Sequence, residues 1–162
     1  MNAKDVLKLN LNLNRMVLSE YLKDMSDADL MVRPVPAANH IAWQLGHLIS
    51  SECEMLSSVG HKMPALPEGF AESHSKEASK SDDPKKFLSR KQYLDLLERV
   101  RQGTFAALEK TPESDFDKPA PEAMQSYCPT IGALFHLIGA HDMMHAGQFA
   151  VVRRKQGKPI LM

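Results

Sequence analysis

Four segments of this chain repeat apolar residues at steps of three and four, and proline-rich stretches separate them. That period is typical of helices that bury one face, and no segment alternates apolar and polar residues as a strand does. The 162 residues are therefore predicted to form an all-α four-helix bundle in a single domain, 1–162. The helices are expected from Asp5 to about Asp24, from an Asn39 cap to Gly60, from a Ser89 cap to near Thr111, and from a Thr130 cap to about Gln156.

The apolar stripe of the first helix is expected to face the core. It comprises Val6, Leu9, Leu13, Met16 and Val17, with Leu7, Leu11 and Leu18 widening it. A short turn of helix is expected between Ser26 and Val32, before two prolines impose an extended link.

Two long connections are predicted, one between helices 2 and 3 and one between helices 3 and 4. The first covers residues 61–88 and loses helical periodicity, with prolines followed by a polar run. Connections of this length in a small domain are usually functional or disordered. Leu66 and Phe70 could anchor the first half over a cavity, or the stretch could be a solvated linker.

Charge and apolar content narrow the class of partner. Twenty basic and twenty acidic residues cancel, and neither sign forms a long block, so no nucleic-acid or membrane-surface footprint is present. No run approaches the roughly 20 apolar residues of a membrane span, and no secretory signal is visible. We expect a cytoplasmic protein whose partners are a small-molecule substrate and a second copy of itself. Cys53 and Cys128 form no CxxC pair and are expected to be buried thiols.

Two histidines interrupt the core stripe of the last helix. That stripe runs through Ile131, Leu134, Ile138, His141, His145, Gln148 and Val152. Residues four apart lie about 40° apart around the axis and about 6 Å apart along it, so both rings can reach one point. Burying an imidazole without a partner costs on the order of 1–3 kcal/mol. The pattern indicates a metal site, with a hydrogen-bonded structural pair as the alternative.

A third ligand is available on the second helix. His47 ends the stretch IAWQLGH, and its small neighbours Gly46, Ser50 and Ser51 leave room for a ligand. Three imidazoles would suit Zn, Ni, Co or Fe(II) and leave a coordination position open, as in catalytic sites. His40 is a weaker fourth candidate, whereas His136 falls on a different face of its helix.

Other residues near these histidines have open roles. HDMMH is similar to the zincin motif HExxH, but the shorter carboxylate and the missing further ligands argue against a peptidase. Asp142 is a candidate catalytic base or acceptor beside the metal ligands. Gln148 is a candidate to orient a ligand or to bond across to another helix, or else Gly147 and Gln148 serve helix packing.

The expectations for five further side chains are simpler. Trp43 is expected to be a core residue that could also wall the pocket. Arg153 and Arg154 could receive an acidic thiol, although two solvated arginines at the helix end are the simpler interpretation. Met143 and Met144 are expected to fill the core.

Nearly the whole chain resembles the DinB-like family, which is similar to the YfiT-type metal-dependent proteins. The resemblance is carried by NHIAWQLGHLISSE and, after a long loop and a further helix, by HLIGAHDMMHAGQFAVVRRKQGKP. It implies a four-helix bundle, often dimeric, with a divalent metal held by three histidines. Matched by position, those ligands are His47, His141 and His145, and Zn or Ni is the expected metal.

Better-understood relatives, such as bacillithiol transferases and mycothiol-dependent maleylpyruvate isomerase, use the metal with low-molecular-weight thiols. The resemblance implies a metal-dependent transferase that joins such a thiol to a small electrophilic substrate. A metal-dependent hydrolase and a non-catalytic metal- or ligand-binding stress protein are the alternatives, because one fold can host different chemistries.

Overall fold

The computed structural model describes residues 1–161, and six α-helices dominate this part of the chain. They are α1 (Ala3–Leu22), α2 (Asp27–Leu30), α3 (Ile41–Ser58), α4 (Phe70–Ser73), α5 (Arg90–Lys110) and α6 (Ile131–Lys155). Four single 3-10 turns lie in the connections, at Ala78–Lys80, Pro84–Lys86, Glu113–Asp115 and Glu122–Met124. The predicted all-α class is confirmed.

Four long helices correspond to the four predicted ones, and two short helices lie between them. α1 packs mainly against α6 and also touches α5, while α3 packs against both α5 and α6. α4 and two of the 3-10 turns lie within residues 61–88, so this connection is folded rather than a plain linker. α4 contacts α3, which brings the connection to the helix that carries His47.

The helix caps were predicted well with one exception. Ser89 and Thr130 each accept a hydrogen bond from a backbone N–H in the first turn of their helices, as expected. The Asn39 cap is wrong, because His40 caps α3 and its Nδ1 accepts the backbone N–H of Trp43 at 3.1 Å. The helix therefore begins one residue later than the Asn39 prediction requires.

The buried face of α1 differs from the predicted stripe. Val6, Leu9, Leu13 and Met16 are exposed, with Leu9 reaching 61%. The side chains that face the core are Leu7, Leu11, Asn14, Val17, Leu18, Tyr21 and Leu22. Both sets have helical spacing, so only the position of α6 decides between them.

The close approach of α1 to α6 determines which face of α1 is buried. A β-carbon at Gly139 of α6 would lie 2.3 Å from Asn10 Nδ2 and 2.4 Å from Asn14 Nδ2. Any side chain at position 139 would have to displace these two amides, so the Asn10 and Asn14 side of α1 faces α6 and the Leu9 side faces outward.

Two further expectations about the core had different outcomes. Cys53 and Cys128 are buried and free, as predicted. Met143 and Met144 are exposed, which corrects their assignment as core residues, since α6 turns its His145 and Phe149 side toward the core.

In residues 1–161, no helix is both long and apolar enough to cross a membrane.

Candidate metal centre

The structure brings together the three histidines selected from the sequence. His47 lies on α3, and His141 and His145 lie one turn apart on α6. Each offers a ring nitrogen, and these nitrogens all lie within 4.8 Å of one another. His141 Nε2 and His145 Nε2 are 3.2 Å apart. Two imidazoles on one tetrahedral zinc ion place their nitrogens about 3.3 Å apart, so this donor set fits a metal ion.

Gln44 holds the ring of His145 in one tautomer. Its side-chain Nε2 donates to the Asn39 carbonyl at 2.8 Å, which directs Oε1 toward His145. His145 Nδ1 donates to that Oε1 at 2.7 Å and therefore carries the proton. His145 Nε2 is left with a free lone pair, as a metal ligand requires.

Sequence reasoning missed Gln44, although a signal was present. Gln44 is fully buried, and it is a polar residue inside the otherwise apolar run IAWQL. Buried side-chain amides need hydrogen-bond partners, so its position pointed to a specific contact.

Trp43 supports the ring of His47. The two rings are stacked, with centroids 5.0 Å apart and planes within 5°. Trp43 is 7% exposed and donates from Nε1 to the Ser75 carbonyl at 2.8 Å. It is thus both a core residue and a wall of the site, and it ties the 61–88 connection to α3.

Burial keeps the histidines neutral. It lowers the pKa of His141 to about 4 and that of His145 to about 3, with smaller contributions from the neighbouring histidines. Burial also lowers the pKa of His47, although the carboxylate of Glu54 opposes this. Metal ions bind neutral imidazole, so these three rings are in the correct protonation state at pH 7.

A cavity of about 460 Å³ opens beside His47 and His141. Apolar side chains form much of its wall, including Met55, Met124 and Leu137, and Glu54 contributes the only formal charge. A small substrate with an apolar body could lie next to the ring nitrogens here.

The 61–88 connection packs directly on α3 beside the site. A β-carbon at Gly46 would lie 1.9 Å from the ring of His74, so the absence of a side chain at Gly46 admits that ring. His74 is buried, with Nε2 2.7 Å from the Tyr93 hydroxyl and Nδ1 2.8 Å from the Phe70 carbonyl. His74 thereby anchors residues 70–76 against α3 at Gly46, the residue that precedes His47.

Asp142 lies in the core and reaches across the bundle to a side chain of α5. It pairs with Arg101, whose Nε is also 3.0 Å from Glu52 Oε1, and Thr104 donates to the same Glu52 carboxylate. All four side chains are buried. Burial raises the pKa of Asp142, while the charge of Arg101 opposes the rise. The partner that the structure gives Asp142 is this guanidinium, and its role as a catalytic base stays a prediction.

Gln148 and His40 do not join the three histidines. Gln148 is exposed, and a β-carbon at the neighbouring Gly147 would meet no heavy atom within 4 Å among residues 1–161. Gly147 therefore does not admit another helix of this chain, and a role for Gln148 toward a ligand stays a prediction. His40 caps α3, and its Nε2 lies 3.0 Å from the Ser81 carbonyl.

Arg153 is neither solvated nor free to receive an acidic thiol. Its guanidinium is buried, pairs with Asp24 and donates to the Tyr21 carbonyl at 2.7 Å. It joins the end of α6 to the end of α1.

Both the fold and the sequence of this chain have known relatives. The structure of a conserved protein from Enterococcus faecalis superimposes with a TM-score of 0.75, covering 98% of this chain and 99% of that chain at 20% sequence identity. The two proteins are thus similar in fold. No curated protein gives a significant match. The family model of the DinB superfamily matches residues 10–149, the range that holds all three histidines, and the chain therefore belongs to the DinB superfamily.

Proposed function

We propose that the protein is a metal-dependent transferase that joins a low-molecular-weight thiol to a small electrophilic substrate. The observation that carries the proposal is the convergence of His47, His141 and His145 within 4.8 Å beside a cavity large enough for a small molecule. A divalent cation such as zinc or nickel, when bound there, lowers the pKa of a thiol and makes a thiolate available at neutral pH.

The residues of the chain would supply binding and orientation. Met55, Met124 and Leu137 would contact the apolar body of the electrophile and exclude water from the reacting carbon. In the transfer step the thiol sulfur forms a bond to that carbon, the bond from carbon to its leaving group breaks, and the thiol proton passes to solvent or to the leaving group. Trp43 and Gln44 would keep His47 and His145 in place during this step.

Metal content tests the first half of the proposal. The protein is purified without chelators and its metals are measured by elemental analysis, beside the variants His47→Ala, His141→Ala and His145→Ala. His136→Ala is the matched control, since His136 is an exposed histidine of the same helix as two of the ligands. We expect near-stoichiometric divalent metal that each of the first three variants loses and that the control retains. Equal metal content in all four variants would refute the three-histidine site.

A cobalt-substituted sample tests the thiol. Entry of sulfur into the coordination sphere changes the visible spectrum of cobalt, and such a change on adding a thiol supports a transferase. Turnover of an electrophile without any thiol would instead indicate a hydrolase. Metal binding with neither response would indicate a non-catalytic binding protein.

The homodimer implied by the sequence resemblance stays a prediction, as does a cytoplasmic location. Light scattering on the metal-loaded protein distinguishes a mass of two chains from a mass of one. The result does not bear on the metal centre, because all three histidines come from a single chain.

A further inference from the structure

A second cavity, of about 440 Å³, also borders His47. It lies between α3 and the connection residues 71–76, and His74 and Trp43 form part of its wall. Ser51, Glu54 and His47 line both this cavity and the one beside His141. The two spaces therefore adjoin along one side of α3, with the candidate metal centre next to both.

Ser50 gives this second cavity an unsatisfied polar group. Its side chain lines the cavity and is 8% exposed, and its Oγ is buried without a hydrogen-bond partner among residues 1–161. Serines within helices commonly bond to the carbonyl one turn earlier, and Ser50 does not. An unsatisfied buried hydroxyl is costly, and a rotation about the Cα–Cβ bond of Ser50 would bring this Oγ to a polar ligand in the cavity.

Two opposite charges line the same cavity. Glu54 and Lys76 are both exposed, and neither takes part in an ion pair within the described chain. Glu54 projects from α3 and Lys76 from the connection, so they border the cavity from two different elements. The first cavity, in contrast, has Glu54 as its only charged side chain.

We propose that this second cavity binds the α-amino-acid group of a small thiol. The ammonium group faces Glu54, the carboxylate faces Lys76, and the Ser50 hydroxyl donates to a ligand oxygen. The sulfur then points toward His47, while the electrophile occupies the cavity lined by Met124 and Leu137. The assignment of a thiol rests on the proposed function, whereas the recognition of a zwitterion rests on the cavity itself.

The fluorescence of Trp43 reports ligand binding in this cavity. It is the only tryptophan of the chain and lines the cavity, so ligand binding changes the intrinsic fluorescence directly. The zinc-loaded protein is titrated with L-cysteine, with cysteamine, which lacks the carboxylate, and with 3-mercaptopropionate, which lacks the ammonium. L-cysteine is expected to bind at least about fivefold more tightly than either, as each exposed ion pair contributes modestly.

Two variants that each remove one charge test which side chain binds the carboxylate and which binds the ammonium group. Lys76→Met should remove the preference for L-cysteine over cysteamine and keep the preference over 3-mercaptopropionate. Glu54→Gln should remove the preference for L-cysteine over 3-mercaptopropionate and keep the preference over cysteamine. Lys80→Met is the matched control, because Lys80 is an exposed lysine of the same connection that does not line the cavity.

Ser50→Ala separates a binding role from a structural one. Removing an unsatisfied buried hydroxyl should leave the stability of the free protein unchanged or higher. The same variant should weaken L-cysteine binding severalfold. A variant that loses stability without losing affinity would contradict a ligand-binding role for Ser50.

The zwitterion assignment is overturned if the three thiols bind equally well, or if Lys76→Met weakens all of them alike. Failure of the proposed thiol chemistry is recognised separately, by a cobalt spectrum that no thiol alters. In that event L-serine and ethanolamine replace the thiols as probes. Preferential binding of L-serine would then support the zwitterion site alone, and equal binding would refute it.

Discussion

Gln44 and His145 are 101 positions apart in the chain and share a hydrogen bond of 2.7 Å. The bond joins α3 to α6 at the candidate metal centre and leaves His145 Nε2 as the free nitrogen. His145 is thus oriented by a residue of the helix that also supplies His47.

Gln44→Met should lower metal affinity about 10- to 100-fold, because the acceptor that fixes the His145 ring is lost. Competition with a chromophoric chelator measures the affinity. Gln44→Glu keeps an acceptor oxygen and should restore most of the affinity. Gln102→Met is the control, since Gln102 is an exposed residue of α5. An unchanged affinity in Gln44→Met would show that His145 needs no such support.

Gly46→Ala should destabilise the protein by about 1–3 kcal/mol or more, because the new methyl group overlaps the buried ring of His74. Gly147→Ala is the matched control: nothing lies within 4 Å of the added carbon, and alanine is the better helix former. It should stabilise by up to about 1 kcal/mol. Urea denaturation followed by Trp43 fluorescence measures both. If both variants changed the free energy of unfolding in the same direction, the packing of residues 70–76 on α3 would be contradicted.

Asp142→Ala should cost about 1.5–3 kcal/mol of stability, because the buried Arg101 loses a charge-assisted hydrogen bond while its pair with Glu52 remains. Asp95→Ala breaks an exposed pair with Lys91 and should cost less than about 1 kcal/mol. Chemical denaturation compares them. Should Asp142→Ala remain as stable as the parent protein yet lose activity, the prediction of a catalytic base would be favoured instead.

The metal-free protein should lose stability as the pH falls from about 6.5 to 5. Burial holds the pKa of His141 at about 4 and that of His145 at about 3, below the ordinary value of 6.5. In this range the unfolded chain binds protons that the folded chain does not, so protons favour unfolding. The loss is about 1.4 kcal/mol per pH unit for each such histidine once its unfolded form is fully protonated.

Urea midpoints at several pH values measure this slope. His145→Gln should reduce the slope, and His136→Gln, which alters an exposed histidine, should not. A stability that does not change between pH 6.5 and 5 would contradict the lowered pKa values.

Much of the helical structure was predictable because it depends on local signals. Ser89 and Thr130 were identified as caps, and the period of apolar residues located all four long helices. The buried face of α1 was not predictable, since Leu9 and Leu11 both belong to sets with helical spacing. The contact of Gly139 with Asn10 and Asn14 decides the face, and it depends on packing between distant segments.

At the site, too, local patterns were predictable from the sequence and contacts between distant segments were not. The three histidines were predicted from spacing on α6, room around His47 and the family resemblance. The contacts of Gln44, Asp142 and His74 were not, because each of these side chains meets a partner on a different element. Sequence patterns of one helix carry no information on which residue of another helix lies opposite.

Five consecutive residues of α3, from Trp43 to His47, contain the ring support, the hydrogen-bond acceptor, the gap for His74 and a candidate ligand. Each residue of a helix turns the chain by about 100°, so their relative directions are set by their count. A substitution here alters one of these contacts at a time. Inserting or deleting a single residue here would instead turn the contacts on one side of the change by about 100° relative to those on the other, so natural variation in this stretch is expected to change residue type rather than length.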